Sequence, residues 1–246
     1  NPTVIIATPG RLNDLLQQRQ ARLDDARIVV LDEADRMLDM GFAPQIDRIF
    51  RVLPRERQTM LFSATIPDGI MMLAGAYMRA PVRVEVAPSG TAAAGVTQEL
   101  FVVPKEQRNR LLDRLLQQHQ VTTLIFSRTK HGARRLVQLI RGMGHTAAEI
   151  HANRSLSQRK DALEGFKAGR YRVLVATDIA SRGIDVTGIG LVLNYDLPTN
   201  PEDYVHRIGR TARAGLGGHA ISFVAPDQHG EVRRIERLIR KSLSIS

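Results

Sequence analysis

The sequence predicts an α/β protein of two parallel-sheet domains, the first incomplete and the second complete. Three observations predict it. Short runs of β-branched and aliphatic residues recur along the chain with helical periodicity between them. Those runs lack polar alternation, which suits strands covered on both faces by helices. Between residues 86 and 96 the sequence Ala-Pro-Ser-Gly-Thr-Ala-Ala-Ala-Gly loses both periodicity and bulk, as an interdomain linker does.

In chain order, residues 4–7 read as a strand at the very start, so the chain, which opens on Asn1 rather than Met, is expected to begin inside a domain. Strands follow at 28–31 and 59–62. The expected boundaries are a partial first domain over 1–87, a linker over 88–96 and a second domain over 97–246. In the second domain, strands are expected at 124–126, 173–176, 191–194 and 220–224. Residues 130–143 and 156–167 show 3.6-residue periodicity. The last segment, 227–243, is an amphipathic helix with Val232, Ile235, Leu238 and Ile239 on one face.

With 246 residues, 43% of them apolar, the chain can bury a substantial core. It contains no cysteine, and its seven histidines show no ligand spacing, which excludes disulfides, thiolate metal sites and structural zinc. No run approaches the roughly 18 apolar residues of a spanning helix, so the expectation is a soluble cytoplasmic protein without a membrane partner. The net charge of +10 is unevenly placed. Residues 1–97 carry eleven Lys and Arg against eleven Asp and Glu, and the remainder carries 24 against 14. Such a surface attracts polyanions, nucleic acid above all, although a merely basic soluble protein gives the same total.

The strongest chemical signal is Ile28-Val-Val-Leu-Asp-Glu-Ala-Asp35, an apolar strand ending directly in acids. The carboxyl ends of parallel strands form the ligand crevice, so Asp32 and Glu33 would emerge there together. Nucleotide hydrolysis needs one carboxylate to hold Mg²⁺, usually through water, and another to orient or deprotonate the attacking water; Asp32 and Glu33 suit those roles in turn. Acids that merely cap the following helix are the alternative. The second signal places Arg207, Arg210 and Arg213 at three-residue spacing with His206 beside them, ahead of Gly215. A solvated helix face explains such spacing in general. Here Gly209 interrupts the helix and puts arginines near its end, which suits cations delivered to a γ-phosphate, with Arg210 and Arg213 as candidates.

Asp-Glu-Ala-Asp at 32–35 spells the name of the DEAD-box RNA helicases of superfamily 2, and the rest of the chain resembles that family in the family's own order. Thr8-Pro9-Gly10-Arg11 is similar to motif Ib, Ser63-Ala-Thr65 to motif III and Leu124-Ile-Phe-Ser-Arg-Thr129 to motif IV. Ala176-Thr-Asp-Ile-Ala-Ser-Arg-Gly-Ile-Asp185 is similar to motif V, and residues 206–213 to motif VI. The wider texture resembles bacterial members, of the RhlE branch. The resemblance implies two RecA-like domains that close on ATP, Mg²⁺ and RNA, an ATP-driven remodelling of short RNA duplexes, and RNA contacts independent of base sequence. It implies RNA contacts at Thr8, Pro9, Gly10, Arg11, Arg159 and Thr177, and nucleotide contacts at Asp32, Asp35, Asp185, Arg210 and Arg213. Ser63 and Thr65 would bond the acidic motif and couple hydrolysis to unwinding. Arg128 and Lys130 serve either RNA contact or a solvated surface. Accessory partners, in ribosome assembly or RNA decay, are not legible.

Three departures qualify the match. There is no Gly-x-x-x-x-Gly-Lys-Ser/Thr and no upstream glutamine motif, so residues 1–246 are expected to bind ATP poorly and hydrolyse it negligibly. Leu156 stands where the family's Gln-x-x-Arg element has glutamine, with Arg159 in place; and Ala212 stands where many members have glycine. A DNA-dependent superfamily 2 motor and a non-enzymatic RNA-binding or partner-binding module are the alternatives, discriminated by DNA-stimulated ATPase and by the upstream reading frame.

Overall fold

The computed structural model describes residues 2–85, 95–178, 186, 188–211 and 217–245. They group into two compact units, residues 1–89 and 90–246. Of the linker expected at 88–96, residues 88–94 lie outside the described residues.

In the first unit, α1 (Pro9–Gln17), β1 (Ile28–Leu31), α2 (Ala34–Asp39), α3 (Ala43–Val52), β2 (Gln58–Leu61) and α4 (Asp68–Tyr77) follow one another. Pro9 starts α1 at a position where a helix needs no backbone donor. The two strands pair in parallel, Ile28 opposite Gln58 through Leu31 opposite Leu61. Val29 and Leu31 pack on a core of Leu23, Ile46, Ile49, Phe50, Leu53 and Leu73. Their neighbours Ile28 and Val30 are 61% and 50% exposed, so this small sheet is covered on one face among the described residues, not on both as expected.

The strand expected at residues 4–7 is not formed. Val4 and Ile6 are 71% and 95% exposed, and the segment runs as extended coil into α1. A strand needs a neighbour to satisfy its backbone groups, and no described strand lies beside this one.

The second unit is built on a seven-stranded, wholly parallel sheet of order β5-β6-β4-β7-β8-β3-β9. Its strands are β3 (Val96–Val102), β4 (Thr123–Phe126), β5 (Ala147–Ile150), β6 (Val173–Ala176), β7 (Leu191–Asn194), β8 (Gly218–Val224) and β9 (Ser244–Ile245). Its helices are α5 (Arg108–Gln118), α6 (Lys130–Gly142), α7 (Leu156–Lys167), α8 (Pro201–Ile208) and α9 (His229–Ile239). The crossovers from β3 to β4 and from β4 to β5 run in one direction across the sheet, and the later ones run back. Right-handed connections therefore put α5 and α6 on one face and α7, α8 and α9 on the other. The packing follows: Leu112, Leu115 and Leu116 of α5 share a core with Leu136, Val137 and Ile140 of α6, whereas α7 packs with Leu124 and Phe126 and α8 with α9. Every residue of β4 to β7 is buried. Among the described residues no helix is long and apolar enough to cross a membrane.

Candidate functional site

The carboxyl end of β1 delivers Asp32 and Glu33 to solvent, both exposed. The Asp32 carboxylate accepts from the Glu33 amide at 2.9 Å. Glu33 has left-handed backbone, φ 50° and ψ 48°, and its carboxylate pairs with Arg36. An L residue in that region carries a cost of order 1–2 kcal/mol, tolerated here because the chain must turn sharply from strand into α2.

Asp35 points the other way. It is 4% exposed, and its Oδ2 accepts from both the amide and the hydroxyl of Thr65, each at 2.8 Å. The Asp35 amide donates to Ser63 Oγ at 3.2 Å, and Ser63 Oγ donates to the Thr65 carbonyl at 2.6 Å. The loops after β1 and β2 are thus tied by side chains as well as by the Ala34 amide on the Phe62 carbonyl, 3.0 Å. One acid is buried and two are exposed.

In the same unit Thr8, Gly10 and Arg11 are exposed at the start of α1, Pro9 is half-buried, and Arg11 pairs with Asp14. Asn13 fixes this turn: its Nδ2 donates to the Pro9 and Gln45 carbonyls, both at 2.9 Å.

The second unit gathers its candidates at the carboxyl ends of β4 to β7. Arg128 is exposed; its amide donates to Asp196 Oδ2 at 2.9 Å and its guanidinium reaches the Leu197 carbonyl at 3.4 Å. Thr129 caps α6 through Gly132, at 3.0 Å. A Cβ at Gly132 would lie 2.6 Å from Ser127 Oγ, so glycine is what lets this turn close. Lys130 Nζ donates to Asn153 Oδ1 at 3.0 Å. Arg159 is half-buried, with its Nε unpartnered among the described residues, and Thr177 is 9% exposed. Leu156, in the first turn of α7, is 75% exposed and offers no polar group; Ser155 and Gln158 cap this turn reciprocally.

Of the three spaced arginines, the structure separates Arg207 from the others. It is 2% exposed and holds Asp178 bidentately at 2.6 and 2.8 Å. Its NH1 donates to Asn194 Oδ1 at 2.9 Å and to the Asp196 carbonyl at 2.7 Å, and its guanidinium lies 4.8 Å from the Phe126 ring centroid. The helix α8 stops at Ile208 with Gly209 as its cap, as the interruption expected at Gly209 requires, and Arg210 lies beyond the helix end, half-buried like His206. Arg213 and Asp185 lie outside the described residues, as does Ala212. The lock of Arg207, Asp178, Asn194 and Asp196 is what sequence reasoning missed; its signal was the buried neighbours Tyr204, Val205 and Ile208.

Residues 1–73 match the DEAD/DEAH box helicase family, and residues 106–215 match the helicase conserved C-terminal domain. The DEAD-box ATP-dependent RNA helicase RhpA of Helicobacter pylori is 41% identical over all 246 residues, which cover 50% of its length. The ATP-dependent RNA helicase CshA of Listeria monocytogenes is 41% identical over 244 residues, 99% of this chain and 47% of its own length. The chain spans about half the length of these relatives. Among solved structures, S. cerevisiae Dbp5 bound to RNA and ADP BeF3 matches the whole chain with a TM-score of 0.89 at 32% identity, over 66% of that chain. A DEAD box protein from the hyperthermophile Methanococcus jannaschii matches it all at 36% identity with a TM-score of 0.61, over 67% of that chain.

Proposed function

Because the chain belongs to the DEAD-box helicase family, we propose that it forms part of a cytoplasmic ATP-dependent RNA helicase that couples ATP hydrolysis to local unwinding of RNA. The observation that carries the reading is the division of labour in the acidic loop. The Asp35 carboxylate is bonded by Thr65 and its amide by Ser63, and Asp32 and Glu33 stand exposed at the strand end.

Glu33 is the base that takes the proton of the attacking water. Asp32 accepts only a short-range amide among the described residues, which leaves lone pairs for the water shell of Mg²⁺, a cation that keeps several waters. When bound, Mg²⁺ neutralises charge on the phosphates. Arg210 and Arg213 supply cations as charge develops on the γ-phosphate, and His206 and Asp185 complete the nucleotide side. A change in Asp35 contacts is felt at Ser63 and Thr65, which makes that triad the coupling element. On the RNA side, Thr8, Pro9, Gly10, Arg11, Arg128, Arg159 and Thr177 offer hydroxyls, amides and guanidiniums that suit phosphate and ribose and carry no base code. Residues 1–246 contain no Gly-x-x-x-x-Gly-Lys-Ser/Thr loop to cradle the β- and γ-phosphates, so turnover is expected to need such a segment in addition.

The test is Glu33→Gln in a chain extended by encoded upstream sequence that includes such a segment. Turnover is expected to fall by about 100-fold or more with ATP and RNA binding retained. Near-normal turnover would remove Glu33 from the role of base.

A further inference from the structure

Seven of the ten net positive charges fall within residues 105–142, where nine Lys and Arg stand against Glu106 and Asp113. The segment contains α5, β4 and α6; β4 is buried and Arg108 is buried against Asp196, while Arg110, Arg114, Lys130, Arg134, Arg135 and Arg141 are exposed on the two helices, which share one face of the sheet. Their inner sides are the shared apolar core. Their outer sides carry Arg110, Arg114, Arg134 and Arg135, all exposed. The first turn of α5 packs on Tyr195. Its hydroxyl bonds Asn109 Oδ1 at 2.8 Å, and Arg108 lies 5.9 Å from its ring centroid. Burial and Asp196 raise the Tyr195 pKa, and Arg108 and Arg135 oppose them, which puts Arg135 within electrostatic reach of the same ring.

From this placement we infer that the outer face of α5 and α6 is a second RNA-binding surface, a phosphate track continuing from Arg128 and Lys130 over Arg134 and Arg135 to Arg110 and Arg114. The inference extends the proposed function and rests on its RNA reading. Three features select RNA backbone over an acidic protein or a lipid surface. No large apolar side chain is exposed on either helix, so an anchor for protein docking or for insertion into lipid is lacking. Six of the eight exposed cations of the segment are arginines, whose planar forks match phosphate oxygens. The track also starts at the carboxyl edge of the sheet, where Arg128 and Lys130 already sit. An RNA long enough to leave the first site would follow this face, adding affinity without adding sequence preference.

The experiment measures binding of the 246-residue chain to fluorescent single-stranded RNA of about ten and about thirty nucleotides across a salt series. The wild type is compared with the fourfold Arg→Gln variant at 110, 114, 134 and 135, the fourfold Arg→Lys variant and Arg159→Gln. Thermal melts check that the four exposed substitutions leave the fold intact. The Gln variant is expected to lose about tenfold in affinity for the long RNA. Its log-log salt slope should fall by about 2 to 3, since each single-strand phosphate contact contributes about 0.7. Short-RNA binding should be unchanged, and the Lys variant should regain most of the loss. Arg159→Gln should weaken both lengths. Equal loss on both RNAs, or no loss on either, overturns the second surface; if Arg159→Gln still weakens short-RNA binding, the proposed function stands. Absence of RNA binding by the wild type overturns both.

Discussion

Thr65 shows how much a single side chain can carry. With 7% of its surface exposed, it gives two hydrogen bonds to one buried carboxylate oxygen of Asp35. Thr65→Val keeps the shape and removes one donor from a buried charge, so a loss of about 1–3 kcal/mol is expected in a urea titration. Arg207 is held more tightly still. Arg207→Ala leaves Asp178 without its bidentate partner and is expected to destabilise the second unit by about 3–5 kcal/mol, read in the same titration. The exposed position of Asp32 and Glu33 at the end of β1 was legible in the sequence, because an apolar strand of a parallel sheet that runs directly into acids presents them at its carboxyl end. Arg207 was not. The interruption at Gly209 was legible and the helix does end at Ile208, but Asp178 and Asn194, the partners that bury Arg207, come from other strands' ends and leave no mark in the spacing.

Strands of uniform apolar character were legible, and so were helices with a clean apolar stripe. The sequence pattern put α7 at 156–167, where it is found, and α6 within one residue of its observed end. What the pattern concealed has physical causes. β5 is Ala-Ala-Glu-Ile with a buried Glu149, whose charge is answered by Arg154 from the following turn. β3 carries Thr97, Gln98 and Glu99 in succession, and Gln98, buried on the same face as Val96 and Leu100, is made tolerable there by the Tyr204 hydroxyl, which donates to its Oε1 at 3.0 Å. Neither pairing is visible to periodicity, and that of Gln98 with Tyr204 joins residues distant in sequence. Residues 4–7 failed in the opposite direction, being β-prone without a neighbour. At the α6 entry, Gly132→Ala should cost about 1–3 kcal/mol by overpacking against Ser127 Oγ. Ser127→Ala in the same chain should restore part of that in thermal melts, because the Ser127 Cβ lies 3.9 Å away.

For the whole molecule, stability should depend on pH through histidines at the amino-terminal edge of the second sheet. Burial, and then Arg172, hold His145 below its ordinary pKa; burial, and then His219, do the same for His119. Both are depressed in the fold, so the unfolded chain binds more protons as pH falls below about 6.5, and stability is lost from there down to the folded values. His145→Gln should flatten that loss in melts taken between about pH 7.5 and 5. The central claim is the RNA-dependent helicase reading. It is tested most directly by ATPase rates with single-stranded RNA or DNA, on residues 1–246 and on a chain extended to include a phosphate-binding segment. Turnover that needs both the extension and RNA is expected; equal stimulation by DNA, or hydrolysis by residues 1–246 alone, would contradict it.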